Sequence, residues 1–433
     1  MRRAIKSHTP EGFIALDNSA LIYPPTEAAF STNTFRLSVD LGVEVNTEIL
    51  RQAAHELLDR CPYAKVRLRT GFFWHYLSPN EAEIPIWEEG SYPAGRFDFK
   101  GNNHYLLKII HGPRRIAIEC FHALTDGSGA LAYFKLLLAR YCALASIGDG
   151  TFADGLCYTS RPEETEFSDP FQELYDRTIR PFPSVSRAYH RKGEGGRSEA
   201  VKVIRAQVAV GEIKRRAKAR SLTIGEYLSA VYLMSLQELQ AQEGKEGRRR
   251  RPIRLSVPVN LRRIFARETM RNFTLFVLVS IDPALGWYSF DEIAGQVRLQ
   301  MAQAVEQKQL LSQIRRNVGG ERSAALRFAP TILKNPLFKL LSDTLGDQQY
   351  SGVISNLGLV SFPAALSPLV EAMDFHLSPG LVNPVSIAVV GYHDSLAINF
   401  TSYEDYDTAL ERLFCTFLVE DGIAVSVASN RGV

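Results

Sequence analysis

A chain of 433 residues with 45% hydrophobic and 22% charged residues has the make-up of a globular protein large enough for two or three units. Its net charge of +3 comes from a basic excess spread along the chain, which argues against a nucleic-acid partner. The one dense run, Arg248 to Arg251 with Arg254 beyond it, reads as a solvated loop or, alternatively, as a patch for phosphate. No stretch approaches the roughly 20 apolar residues of a membrane-spanning helix. Asp17 and Asn18 interrupt the apolar run that a leader would need after Arg2 and Arg3. Five scattered cysteines without a Cys-x-x-Cys pair read as free thiols of a reducing compartment, so a cytoplasmic location is expected.

In chain order, Phe35, Leu37 and Val39 alternate as in a strand. Asn46 or Thr47 then caps a helix carrying Leu50, Ala53, Ala54, Leu57 and Leu58, which stops before Pro62. Ala64 to Arg69 is a further strand. Ile116, Ile118, Cys120 and His122 share one face by the period of two, and Leu131, Phe134, Leu138 and Tyr141 keep helical spacing, giving strand, loop and helix. Residues 143 to 199 are rich in Pro, Gly and charge and bury too little apolar surface to fold well, so a boundary is expected there, with units at 1–185 and 186–433.

The second half opens like the first, with a strand from Val201 to Val210 and a short helix from Ile213 to Ala219. A longer helix runs through Leu239, begun by Thr223 and Glu226 in a capping-box spacing. Arg254–Val259 and Phe273–Ile281 read as central strands, the latter apolar on both faces as if covered on both sides. Val385–Val390 and Leu396–Thr401 flank Gly391–Asp394 as a hairpin, and an amphipathic helix from Thr408 to Leu418 closes the chain.

The chemistry-bearing stretch is His122-Ala-Leu-Thr-Asp126-Gly127-Ser-Gly129. Asp126 or Ser128 can cap the following helix, and Gly127 and Gly129 permit a tight, left-handed turn. A neutral imidazole, with a reference pKa near 6.5, is matched to general-base work. The other histidines read as surface or core residues: His55 in a helix, His75 and His104 near strands, His376 and His393 in loops. His122 and Asp126 could both bind a metal, but no third ligand stands at a spacing that zinc favours, so no metal is expected. Val318-Gly-Gly-Glu321 lacks the strand and lysine of a phosphate loop.

Four motifs fall in order: His122-x-x-x-Asp126-Gly127, Ser256-Val-Pro-Val-Asn260-Leu-Arg262, Arg271-Asn272-Phe273 and Ser355-Asn356-Leu357-Gly358. Together they resemble the acyltransferase superfamily related to chloramphenicol acetyltransferase, nearest its alcohol acetyltransferase and condensation-domain-like branch. Two departures point away from other relatives. Phe121 stands where peptide-bond-forming condensation domains have a second histidine, and the Asp-Phe-Gly-Trp-Gly motif of the plant branch is absent.

The resemblance implies an α/β fold of two subdomains with mixed sheets and an active-site tunnel between them. His122 would be the general base, with no acyl-enzyme. Asp126, Gly127 and Arg262 would be structural, the aspartate and arginine paired. Ser355, Asn356 and Asn272 would line the tunnel or hold the oxyanion, although a Ser-Asn turn satisfied by its own side chains is an equal reading of Ser355 and Asn356. It further implies acyl-coenzyme A as co-substrate, no tightly bound cofactor, and a small-molecule alcohol as acceptor, with an amine as the alternative. A carrier-protein thioester is an alternative donor, the arginines at 248–254 serving either it or the coenzyme A phosphate. A non-catalytic binding protein of the same shape is the remaining alternative, and a monomer would suffice.

Overall fold

The structure is a computed structural model. It describes residues 12–27, 32–90, 92–146, 162–191, 200–244, 250–341, 346–362, 366–380, 382–403 and 406–430. Three sheets are present among them. A small antiparallel one joins β1 (Ile14–Ala15), β4 (His75–Pro79) and β3 (Val66–Thr70).

The five-stranded sheet has the order β12 (Val370–Leu377), β2 (Thr34–Leu41), β7 (Arg115–Phe121), β6 (Leu107–His111) and β5 (Ile86–Glu88). The seven-stranded sheet runs β10 (Thr274–Ile281), β9 (Ile253–Asn260), β11 (Gly352–Val360), β13 (Ser386–Tyr392), β14 (Ser395–Tyr403), β8 (Val201–Ala209) and β15 (Ser426–Ser429). Both are mixed: β5 and β6 run parallel in the first, β9, β11 and β13 in the second.

Local signals in the chain place most elements. Asn46 caps the helix Thr47–Arg60 by accepting the backbone N–H groups of Glu48 and Ile49, and Pro62 stands just beyond its end. Thr223 and Glu226 form the expected capping box of the helix Ile224–Gln242. The helix Gly127–Leu144 is buried on nearly all sides, packing against the helix Thr47–Arg60 and carrying Tyr133, Phe134, Leu137 and Leu138 into the core of the first sheet. Tyr141 accepts the backbone N–H of Asn46 at 3.0 Å and so ties the two helices together.

Several expectations are corrected. The strand Thr274–Ile281 is not central but lies at the sheet edge, pairing only with β9; Phe276 on its outer face is 48% exposed. Its second apolar face serves a cavity rather than a covering layer. Residues 162–191 are mostly exposed or half-buried, as the composition of that stretch suggests, but pack locally: Phe171 is fully buried and meets the Phe273 ring edge-on at 5.3 Å, and Ala188 and Tyr189 are buried. Residues 147–161 and 192–199 of the Pro- and Gly-rich segment lie outside the described residues. The closing helix, Ala409–Glu420, is followed by β15 at the edge of the second sheet. His376 lies within a strand, buried, instead of in a loop.

The two sheets exchange one strand across the boundary expected near residue 186. β12 pairs antiparallel with β2, with Phe375 opposite Leu37 and His376 opposite Arg36. Its alternation explains why it fits. Phe375 and Leu377 face the cavity, while Asp374 and His376 face a buried ionic layer in which Arg205 and Asn399 hydrogen-bond to Asp374 and Arg36 pairs with Glu89.

Gly127 and Gly129 form the first turn of their helix and neither has a positive φ, so the left-handed turn does not occur. Gly129 is needed for another reason. A Cβ there would stand 2.1 Å from Thr125 Oγ1 and 2.2 Å from the carbonyl oxygen of Met270, in the second half of the chain. Gly129→Ala should therefore push the two halves apart and lower stability by about 1–3 kcal/mol in denaturant unfolding, the cost of overpacking a close-packed contact.

Candidate active site

A cavity of about 400 Å³ opens between the two large sheets, lined by His122, Gly127 and Ser128 from the first half and by Asn260, Thr274 and Ser355 from the second. His122 follows the last residue of β7. Its backbone N–H donates to the carbonyl of Asn33 at 2.9 Å, and its own carbonyl accepts from Asn272 Nδ2 at 3.0 Å. The chain is thus held on both sides of the imidazole.

The ring stacks on Tyr23, with centroids 4.9 Å apart, and leans on Phe35 at 4.4 Å. Nδ1 is buried with no hydrogen-bond partner, which leaves Nε2 as the nitrogen open to the cavity. Burial among these rings disfavours the imidazolium and lowers the pKa from 6.5 to about 4, against weaker upward pulls from Asp126, the Thr125 backbone and Asn272. The imidazole is neutral at physiological pH.

Asp126 caps the helix Gly127–Leu144, accepting the N–H groups of Ser128 at 3.1 Å and Gly129 at 3.0 Å. Arg262 meets it in a two-pronged contact at 2.9 and 3.0 Å, and the Phe273 N–H and Thr274 hydroxyl donate to it at 2.7 and 2.8 Å. Burial alone would raise this carboxyl, but Arg262 and the backbone donors outweigh it and hold the pKa below its ordinary 3.8. Arg262 is saturated too, donating to the carbonyls of Thr269 and Arg271, each at 2.7 Å. The carboxylate is therefore engaged away from the imidazole, and the cap is Asp126 rather than Ser128.

Asn272 lines the cavity, yet its amide nitrogen is taken by His122 and by Asp17 Oδ2 at 3.2 Å, so it braces the loop. Burial raises the Asp17 carboxyl to about 6, opposed by Arg271. Asn356 Oδ1 accepts the N–H of Gly358 at 2.8 Å within β11, where the pairing with β13 shifts register between Asn356 and Leu359, so the stretch is a bulged strand rather than the expected turn; Gly358 has φ +77° there. Ser355 lines the cavity with no hydroxyl partner among the described residues. Arg254 is not available to a phosphate: it is buried and donates to the carbonyls of Ser186 and Gln349. Arg248 and Arg249 lie outside the described residues.

Tyr23, Phe35, Asp17 and Thr274 complete the site and carried no signal in the chain. Each acts on a residue far away in sequence, and an aromatic or aspartate in isolation does not announce a ring stack or a buried acceptor.

No protein-family model and no curated protein matches the sequence. Solved structures do match the fold. Polyketide synthase associated protein 5 from Mycobacterium tuberculosis aligns with a TM-score of 0.57 and 15% identity, over 95% of this chain and 100% of that one. TRI101 of F. sporotrichioides, complexed with coenzyme A and T-2, aligns with a TM-score of 0.66 and 11% identity, over 95% and 99%. The trichothecene 15-O-acetyltransferase TRI3 from Fusarium sporotrichioides aligns at 0.60 and 11%, over 97% and 99%. The nonribosomal peptide synthetase FmoA3 aligns at 0.53 and 14%, with 95% of this chain spanning 42% of that one. At these identities the likeness is one of fold. The chain shares its overall two-sheet fold with these solved structures.

Removing either partner of the Asp126–Arg262 pair leaves a buried charge unmatched. Asp126→Ala and Arg262→Ala should each cost about 3–5 kcal/mol in denaturant unfolding, and the double variant should cost less than the sum, the sign of a direct pair.

Proposed function

We propose that this protein is an O-acyltransferase that moves an acyl group, such as acetyl, from an acyl-coenzyme A thioester to the hydroxyl of a small-molecule acceptor, with His122 as general base. The observation that carries the reading is the imidazole itself: neutral, held through its backbone on both sides, and open at Nε2 to a cavity walled by both halves of the chain. Coenzyme A bound to TRI101 and the 15-O-acetyltransferase activity named for TRI3 support the donor and the acceptor class.

In this mechanism Nε2 takes the proton of the acceptor hydroxyl as its oxygen attacks the thioester carbonyl. The tetrahedral adduct carries an oxyanion, for which the Ser355 hydroxyl and the Asn356 amide nitrogen, both on the cavity wall, are the donors at hand; Asn356 spends only its oxygen, on the Gly358 N–H. Collapse breaks the C–S bond, and the imidazolium returns the proton to the departing thiolate. No acyl-enzyme forms. Asp126, Gly127 and Arg262 hold the loop and take no part in proton transfer. Both walls come from one chain, so a monomer is sufficient.

A thioester on a carrier protein is the alternative donor, supported by the likeness to FmoA3. An amine is the alternative acceptor. Thiol release from acetyl-coenzyme A, longer acyl-coenzyme A donors and acyl-pantetheine, measured with a panel of alcohols and amines, separates these readings. His122→Ala should reduce acceptor-dependent release by about 10²- to 10⁴-fold with little change in melting. Release by neither protein, from a folded chain that does not bind coenzyme A, would leave the non-catalytic reading.

The pH profile is a separate check. Because burial lowers the His122 pKa, the base stays unprotonated as the pH falls through 6.5, and kcat/KM should decline only near pH 4. A decline centred at 6.5 would show that the free enzyme does not hold the imidazole in this desolvated setting.

A further inference from the structure

The helix Thr331–Leu341 is amphipathic in the reverse of the usual sense. Its inward residues are polar and tethered: Thr331 donates through its N–H and hydroxyl to the carbonyl of Phe72, Lys334 Nζ donates to the carbonyl of Phe73 and lies over the Trp74 ring, and Asn335 Oδ1 pairs with His75 Nε2 at 3.1 Å. Its outward residues are apolar. Ile332, Leu333, Leu337 and Leu340 fall within an arc of about 140° at roughly 100° per residue, and they are 79%, 66%, 42% and 58% exposed. Phe328, just before the helix, and Phe72, in the hairpin turn to which it is tied, are exposed as well.

Three polar tethers prevent the helix from rolling its apolar face inward. A patch of this kind is uncommon on a monomer without a partner. Charge indicates which partner. Between Glu321 and Asp343 the chain has Arg322, Arg327, Lys334 and Lys339 and no acidic residue, and Arg327 and Lys339 are exposed beside the apolar face. Lys339 also lines the cavity that holds His122, so the face adjoins the mouth of the site.

We infer that this face docks on the surface of an anionic lipid bilayer, with Ile332, Leu333, Leu337 and Leu340 in the acyl boundary and Arg327 and Lys339 at the headgroups. Exposed leucine and isoleucine flanked by basic residues is the pattern of a helix lying in a membrane interface. No helix among the described residues is long and apolar enough to cross a membrane, so the attachment is peripheral. A second copy is the less favourable occupant, because a two-fold contact through this face would set basic residues against basic residues with no acid in the segment to pair them. The inference does not depend on acyl transfer.

The test is co-sedimentation of the full chain with phosphatidylcholine vesicles, with and without about 30 mol% phosphatidylglycerol, alongside light scattering of the protein alone. The wild type should sediment with the anionic vesicles and be released at high salt. Ile332→Ser with Leu333→Ser, and separately Arg327→Glu, should weaken partitioning about tenfold or more with melting unchanged. A wild type that stays in solution at low salt overturns the inference, as do variants that bind as well as it does. So does a dimer in light scattering that the serine double variant converts to a monomer, which would make the face a contact between copies.

Discussion

One carboxylate holds this site together. Asp126 accepts hydrogen bonds from Ser128 and Gly129 of its own helix, from both terminal nitrogens of Arg262, and from the Phe273 N–H and the Thr274 hydroxyl. A buried charge is tolerable only when its lone pairs are met, and four of these donors belong to the other half of the chain. The helix that follows His122 is therefore set against the second sheet by an arrangement that has few substitutes. Gly129, which lets the backbone of Met270 approach within van der Waals contact, is the steric counterpart of the same seam.

The base depends on that seam without sharing its charge. Because Arg262 neutralises Asp126 and points it away, His122 is left among Tyr23, Phe35 and the cavity, where desolvation dominates. A carboxylate hydrogen-bonded to the ring would have raised the pKa and favoured the imidazolium. Here the ring is kept neutral by its surroundings and oriented through its backbone, by Asn33 on one side and Asn272 on the other.

Much of the architecture could be read from short-range patterns. Alternation around Phe35, Leu37 and Val39 and around Ile116–Cys120, the caps at Asn46 and Thr223, and the Gly391–Asp394 hairpin all depend on neighbours within a few residues. Periodicity alone does not place the stretch Phe273–Ile281 in its sheet, because a strand with two apolar faces looks the same whether a layer or a cavity covers the second one. The helix Thr331–Leu341 shows the converse: its period marks two faces, but nothing local states which one turns inward, and the tethers from Gly71–His75 decide it.

The amino-acid sequence by itself determined many of the secondary elements and the placement of a histidine at a strand end before a capped helix, while the pairing of Asp126 with Arg262 came from the resemblance of its motifs. The elements and the cap are local consequences of periodicity and hydrogen-bonding chemistry. Only the tertiary structure decided that β12 leaves the second half to complete the first sheet, that Asn272 braces His122 while lining the cavity, and that Tyr23 and Phe35 desolvate the ring. Each of those contacts joins residues far apart in the chain, and their energies come from burial, which no local pattern encodes.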